Sequence, residues 1–175
     1  MLVTYGNRQF DDALLELHDL ALIRGFAPSA AASVVSEHSL STADSPMAAG
    51  RPDTEDLGKA RDFGAAVLAK LKSGASGLSI VPGNRPFKPY PDFHRAPVTS
   101  DNCTACGFCV SACPTGAIYI ERDKALTREQ DCIVCQACVK GCPEKARADI
   151  SPGAKETREH LAPLVTGRKG VEIFL

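Results

Sequence analysis

All eight cysteines of this 175-residue chain lie between Cys103 and Cys142, in two copies of one spacing. Cys103-x2-Cys106-x2-Cys109-x3-Cys113-Pro114 returns 29 residues later as Cys132-x2-Cys135-x2-Cys138-x3-Cys142-Pro143. A duplication of this kind implies a pseudo-two-fold unit. Three cysteines at two-residue gaps wrap a loop around an iron–sulfur cubane with backbone amides facing the sulfurs, and the fourth ligand comes from elsewhere. Structural zinc is the competing reading, but four-cysteine zinc sites usually pair two C-x2-C knuckles across a longer gap, and no histidine stands at a ligand-like position. Disulfides suit a secreted chain better than tight repeated spacing in a cytosolic one. The spacing therefore points to 4Fe-4S clusters, one for each copy.

The rest of the chain holds no cysteine and has a different character. Residues 1–72 show α/β patterning: an apolar start at Leu2–Tyr5, then Phe10, Ala13, Leu14, Leu17 and Ala21 at helical steps, with Gly25 as the stop after Arg24. Residues 30–35 form a small, apolar run suited to a buried strand. Asp53 caps a second helix, with Leu57, Ala60, Phe63, Gly64, Val67, Leu68 and Leu71 as its inward stripe and Ser73-Gly74 as its end. Strand, helix, strand, helix reads as part of a parallel sheet. Residues 73–98 are a Pro/Gly-rich connector, in which Arg85, Lys88, Asp92 and Arg95 read as solvated charges. Residues 99–150 are the cysteine domain and 151–175 a C-terminal tail, so the fold class is α+β. Short helical turns are expected after Cys109 and Cys138, short strands at residues 118–120 and 148–150. Val110, Ile118, Ile133, Val134 and Val139 are expected as the apolar sleeve around the clusters.

A formal net charge of -1 provides no basic face for nucleic acid and no polybasic signal for a membrane. Each oxidised cubane with its thiolates would add about two negative charges. No charged n-region followed by an apolar stretch begins the chain, which reads as cytoplasmic and without membrane insertion. His18, His38, His94 and His160 have no mutual spacing of a catalytic pair, and no nucleophile–base pair stands out, so the chain reads as an electron carrier and not as an enzyme.

The eight cysteines and two Cys-Pro corners resemble bacterial-type two-cluster ferredoxins, whose function is low-potential, one-electron transfer between redox proteins. In that family the last cysteine of each motif serves the other cluster. The resemblance thus implies Cys103, Cys106, Cys109 and Cys142 for the first cluster, and Cys132, Cys135, Cys138 and Cys113 for the second. Tyr5-Gly6-Asn7-Arg8, Ser36-Glu37-His38-Ser39, Gly50-Arg51-Pro52 and Pro82-Gly83-Asn84-Arg85-Pro86 resemble flavodoxin–ferredoxin fusions of anaerobic bacteria. The similarity extends to the closing residues 172–175.

That likeness covers the second half of a flavodoxin-like domain. It implies Tyr5, Gly6, Asn7 and Arg8 as a loop along FMN, with FMN held only if another chain completes the site, because the phosphate loop of flavodoxins is missing here. The implied sheet leaves an edge open, and the expected partner is a flavodoxin-half polypeptide or a second copy of this chain. The alternative function is the electron-transfer half of a flavin-dependent oxidoreductase.

Overall fold

The computed structural model describes residues 1–78, 80–89 and 95–175. In chain order its elements are β1 (Leu2–Tyr5), α1 (Ala13–Ile23), β2 (Ala31–Val35), α2 (Thr54–Lys72), β3 (Val98–Thr99) and α3 (Phe108–Ser111), then β4 (Ile118–Glu121), β5 (Lys124–Thr127), α4 (Ala137–Lys140), β6 (Arg147–Ala148), α5 (Pro152–Leu161) and β7 (Glu172–Phe174). They divide into two units, Met1–Pro89 with Leu161–Leu175, and Tyr90–His160. No helix among the described residues is long and apolar enough to cross a membrane.

In the first unit β1 and β2 pair in parallel, with Leu2 opposite Ala32 and Tyr5 opposite Val35. All of β2 is buried, the behaviour of a short apolar strand covered on both faces. Between them α1 buries Leu14 and Leu15 and ends at Arg24, where Gly25 turns left-handed at φ 81°. Asp53 caps α2 by accepting the N–H groups of Glu55 and Asp56, each at 3.1 Å, while Asp56 accepts the Asp53 N–H at 2.9 Å. This reciprocal box satisfies donors that a helix start leaves free. Arg51 grips the buried Asp56 carboxylate through Nε and Nη2.

The stripe expected on α2 is only partly used. Ala60, Phe63 and Val67 are half-buried, but Leu57, Gly64, Leu68 and Leu71 are exposed. The 19-residue helix is about 28 Å long, whereas the five-residue β2 spans about 17 Å, so the sheet cannot cover it.

Two expected boundaries move. The connector's residues 83–89 lie against α1: the Asn84 N–H donates to Asp12 at 2.8 Å, and Arg85 reaches Asp19 at 2.9 and 2.6 Å. Lys88 pairs with Asp11; both cations are ion-paired yet stay more than half exposed, whereas Arg95, also expected as solvated, is mostly buried against Asp149. Pro91, Asp92 and His94 of the connector lie outside the described residues. The expected tail of 151–175 instead carries α5 and β7, and β7 pairs antiparallel with β2, Ala31 opposite Phe174. Pairing supplies partners for backbone groups that the second edge of a buried strand needs. Leu161 and Val165 pack with Leu40 and Met47, adding an apolar reason for the return. β1 stands at the edge of the sheet.

The second unit is built from short pieces. β4 and β5 form a hairpin whose turn residues Arg122 and Asp123 are both left-handed, at φ 49° and 59°. β3 pairs with β6, Thr99 opposite Arg147. Cys109, Ile118, Ala125 and Cys138 form the core, with Val110 and Val139 packed on it. Ile133, expected in this sleeve, is 50% exposed. The last strand is Arg147–Ala148, short of the expected 148–150, because the Asp149 side chain turns to Gln136 at 2.9 Å and Arg95 at 3.5 Å.

Candidate metal centre

Each cysteine motif is shaped by the same backbone turns. Ala105 and Gly107 have φ of 52° and 80°, and Val134 and Gln136, 29 residues on, have 55° and 63°. Gly116 at 65° and Lys145 at 50° repeat the match beyond each Cys-Pro corner. A left-handed β-branched residue such as Val134 is rare and costs about 1–2 kcal/mol. The turns aim amides at sulfur: the N–H groups of Ala105 and Val134 face Cys103 and Cys132. Those of Ala117 and Ala146 face Cys113 and Cys142, the latter at 3.3 Å. α3 and α4 then carry Cys109 and Cys138 into the core.

Two hollows result. Cys103, Cys106, Cys109 and Cys142 line one, which with its mouth holds about 330 Å³ of atom-free space. Cys113, Cys132, Cys135 and Cys138 line the other, of about 350 Å³. All eight sequence-expected ligands are thus brought together, three from one motif and one from the other in each hollow. Among the described residues no three candidate ligands meet closely enough for a single metal ion. The thiols ring a space instead, and soft sulfur donors around an apolar hollow with inward amides fit a cubane, whose four irons each take one thiolate. Cys106 and Cys135, at equivalent places in the two motifs, are the exposed members.

The thiols are not electrostatically alike. Amides of Ala105 and Ala125 hold Cys103 below the usual thiol range. Burial pushes Cys113 up, but the Thr115 hydroxyl and the amides of Thr115, Ala117 and Ile118 outweigh it and leave the group lowered. Burial raises Cys109 and Cys132, against the pull of Arg147 on the first and of the Val134 amide on the second. Metal binding replaces those protons and couples the sites to folding.

The other expected site, Tyr5 to Arg8, follows β1 and packs within the first unit. Tyr5 is buried and stacks edge-on against Phe10 at 5.5 Å. A side chain on Gly6 would strike the His38 ring, with Cγ at 2.8 Å. The Asn7 amide donates to Val165 O and Gly167 O, both at 2.8 Å, and its oxygen accepts the Lys169 N–H at 3.2 Å. Lys169 Nζ reaches the Arg8 carbonyl. The Asn7 side chain and the Arg8 carbonyl thus anchor residues 165–169 to this loop.

Arg147 escaped sequence reasoning. It is buried, donates to Ala125 O at 3.2 Å, and lies 3.8 Å from Cys138 Sγ. Aligning the two motifs exposes it, because the position matches Ile118.

No curated protein and no solved structure matches the chain. Residues 102–146 match the model of the 4Fe-4S dicluster domain family, which identifies this stretch as a 4Fe-4S ferredoxin-type domain.

Proposed function

We propose that the chain is an iron–sulfur electron-transfer protein that relays single electrons between redox partners through two 4Fe-4S clusters held on crossed cysteine sets. The observation that carries this reading is the pair of hollows, each lined by three cysteines of one motif and the last cysteine of the other. Each cluster, when bound, accepts and returns one electron with no substrate bond made or broken. Cys103, Cys106, Cys109 and Cys142 hold the first cluster, and Cys132, Cys135, Cys138 and Cys113 the second. The inward amides favour thiolates and the apolar core limits water. Exposed Cys106 and Cys135 mark where a partner comes nearest to each cluster.

Protein purified anaerobically should carry about eight iron and eight acid-labile sulfide per chain, with broad visible absorbance bleached by dithionite. About four irons would reduce the reading to one cluster, and stoichiometric zinc would overturn it. The first unit serves as the docking region: β1 is an edge strand, and Leu22, Ile23 and Phe26 at the end of α1 are exposed. Further α/β structure, from a flavodoxin-half polypeptide or a second copy of the chain, suits that edge. Size measurement with and without a candidate partner tests it, and an unchanged monomer in both would count against it.

A further inference from the structure

Arg147 and Ile118 stand at equivalent places, each five residues after the last cysteine of its motif. Both are buried, at 4% and 5% exposure, and Ile118 belongs to the apolar core between the cysteine sets. The second repeat therefore places a permanent cation where the first places a hydrocarbon. Arg147 lines the hollow of Cys103, Cys106, Cys109 and Cys142, while its Nη2 lies 3.8 Å from Cys138 Sγ of the other set. Its protein acceptors are neutral: Thr99 Oγ1 and Thr127 Oγ1, each at 2.5 Å, and Ala125 O at 3.2 Å. Nε is buried and finds no acceptor among the described residues. Burying such a charge without an anion is costly, so the position calls for negative charge beside it.

We propose that Arg147 is the counter-charge of both clusters, stabilising the added electron on each and holding their potentials above those an apolar residue would give. The proposal rests on the two-cluster reading. Each cluster gains one electron from a low-potential one-electron donor, and neither a proton nor a ligand has to move. A fixed cation close to a site in a low-dielectric interior favours the more negative redox state.

Arg147→Ile, which installs the residue of the other repeat, tests this beside Arg147→Gln and Arg147→Lys in the full chain. Iron is counted first, and each cluster is then titrated with dithionite under mediators and followed by electron paramagnetic resonance. The expected result is full iron in Arg147→Ile with both potentials more negative, the reduction equilibrium falling about tenfold, which is 59 mV for a one-electron couple. Arg147→Lys recovers most of that shift, whereas Arg147→Gln does not. Unchanged potentials in fully loaded Arg147→Ile would overturn the proposal and leave the guanidinium a tie between strands. If neutral variants fail to load iron while Arg147→Lys loads fully, the charge requirement stands. Equal failure of all three would show that the fork geometry matters and the charge does not. The iron count of the unsubstituted chain tests the two-cluster reading separately.

Discussion

Cys113 and Cys142 each lie in sequence beside one set of cysteines and in space beside the other. The separation follows from α3 and α4: each short helix carries the chain out of its own loop before the fourth cysteine is reached at the Cys-Pro corner. A cysteine lost at such a corner should therefore injure the distant site. Cys113→Ala is expected to abolish the cluster of Cys132, Cys135 and Cys138 and to leave about four irons per chain. The surviving resonance signal should match that of the Cys103, Cys106 and Cys109 site, and loss of that site instead would refute the crossing. Gly83 is a residue of another kind. With φ 145°, a Cβ there would stand 2.6 Å from Leu15 Cβ and 3.4 Å from Asp12 Cα, so no side-chain rotation relieves the contact. Gly83→Ala should lower the stability of the first unit by about 1–3 kcal/mol, read from helical circular dichroism in denaturant. A wild-type midpoint would disprove the close approach.

Among the elements, the start of α2 concentrates charge. Asp53 is held well below the usual carboxylate range by Arg168, and Asp56 below it by Arg51. A carboxylate depressed in the folded state contributes stability in full above its unfolded value, near about 4, and loses it as pH falls through the folded value. The thermal midpoint of the helical signal should accordingly drop from pH 7 to pH 3, and Arg168→Gln should narrow that difference. An equal drop in the variant would remove Arg168 from the account. The ties matter because Arg168 belongs to the segment that Asn7 also holds, and they bring β7 to β2. In the cysteine region, α3 and α4 depart from strict repetition in a compensating way. Phe108 stands where the other copy has Ala137, and Gly141 stands where it has Ala112, so the ring fills the space a Cβ on Gly141 would occupy.

The two units of the whole molecule depend on different sources of stability. The first has its own sheet, with Leu14, Val35 and Met47 fully buried, and no cysteine among its residues. The second has a small core in which Cys109 and Cys138 are themselves members, so its folding is coupled to what the sulfurs bind. Removing iron with a chelator at neutral pH should disorder the second unit while most of the α1 and α2 helical signal persists. Simultaneous loss of that signal would show that the first unit needs the clusters to fold.

The sequence by itself pointed to the metal chemistry: the spacing sets three thiolates around a loop, and the motif occurs twice. Local rules also made β1, α1, β2 and the Asp53 cap legible, because helix periodicity, capping and apolar runs act over a few residues. The crossed cysteine sets are an expectation from the family resemblance; the hollows that group those cysteines depend on where α3 and α4 carry the chain, which spacing does not report. Only the tertiary structure returned residues 161–175 to the first unit, through a backbone edge on β2 that carries no sequence signature. Composition could not give the burial of Arg147 between the cysteine sets, because it counts a charge without saying whether water or sulfur surrounds it; the one sequence signal is its match to Ile118 in the other motif.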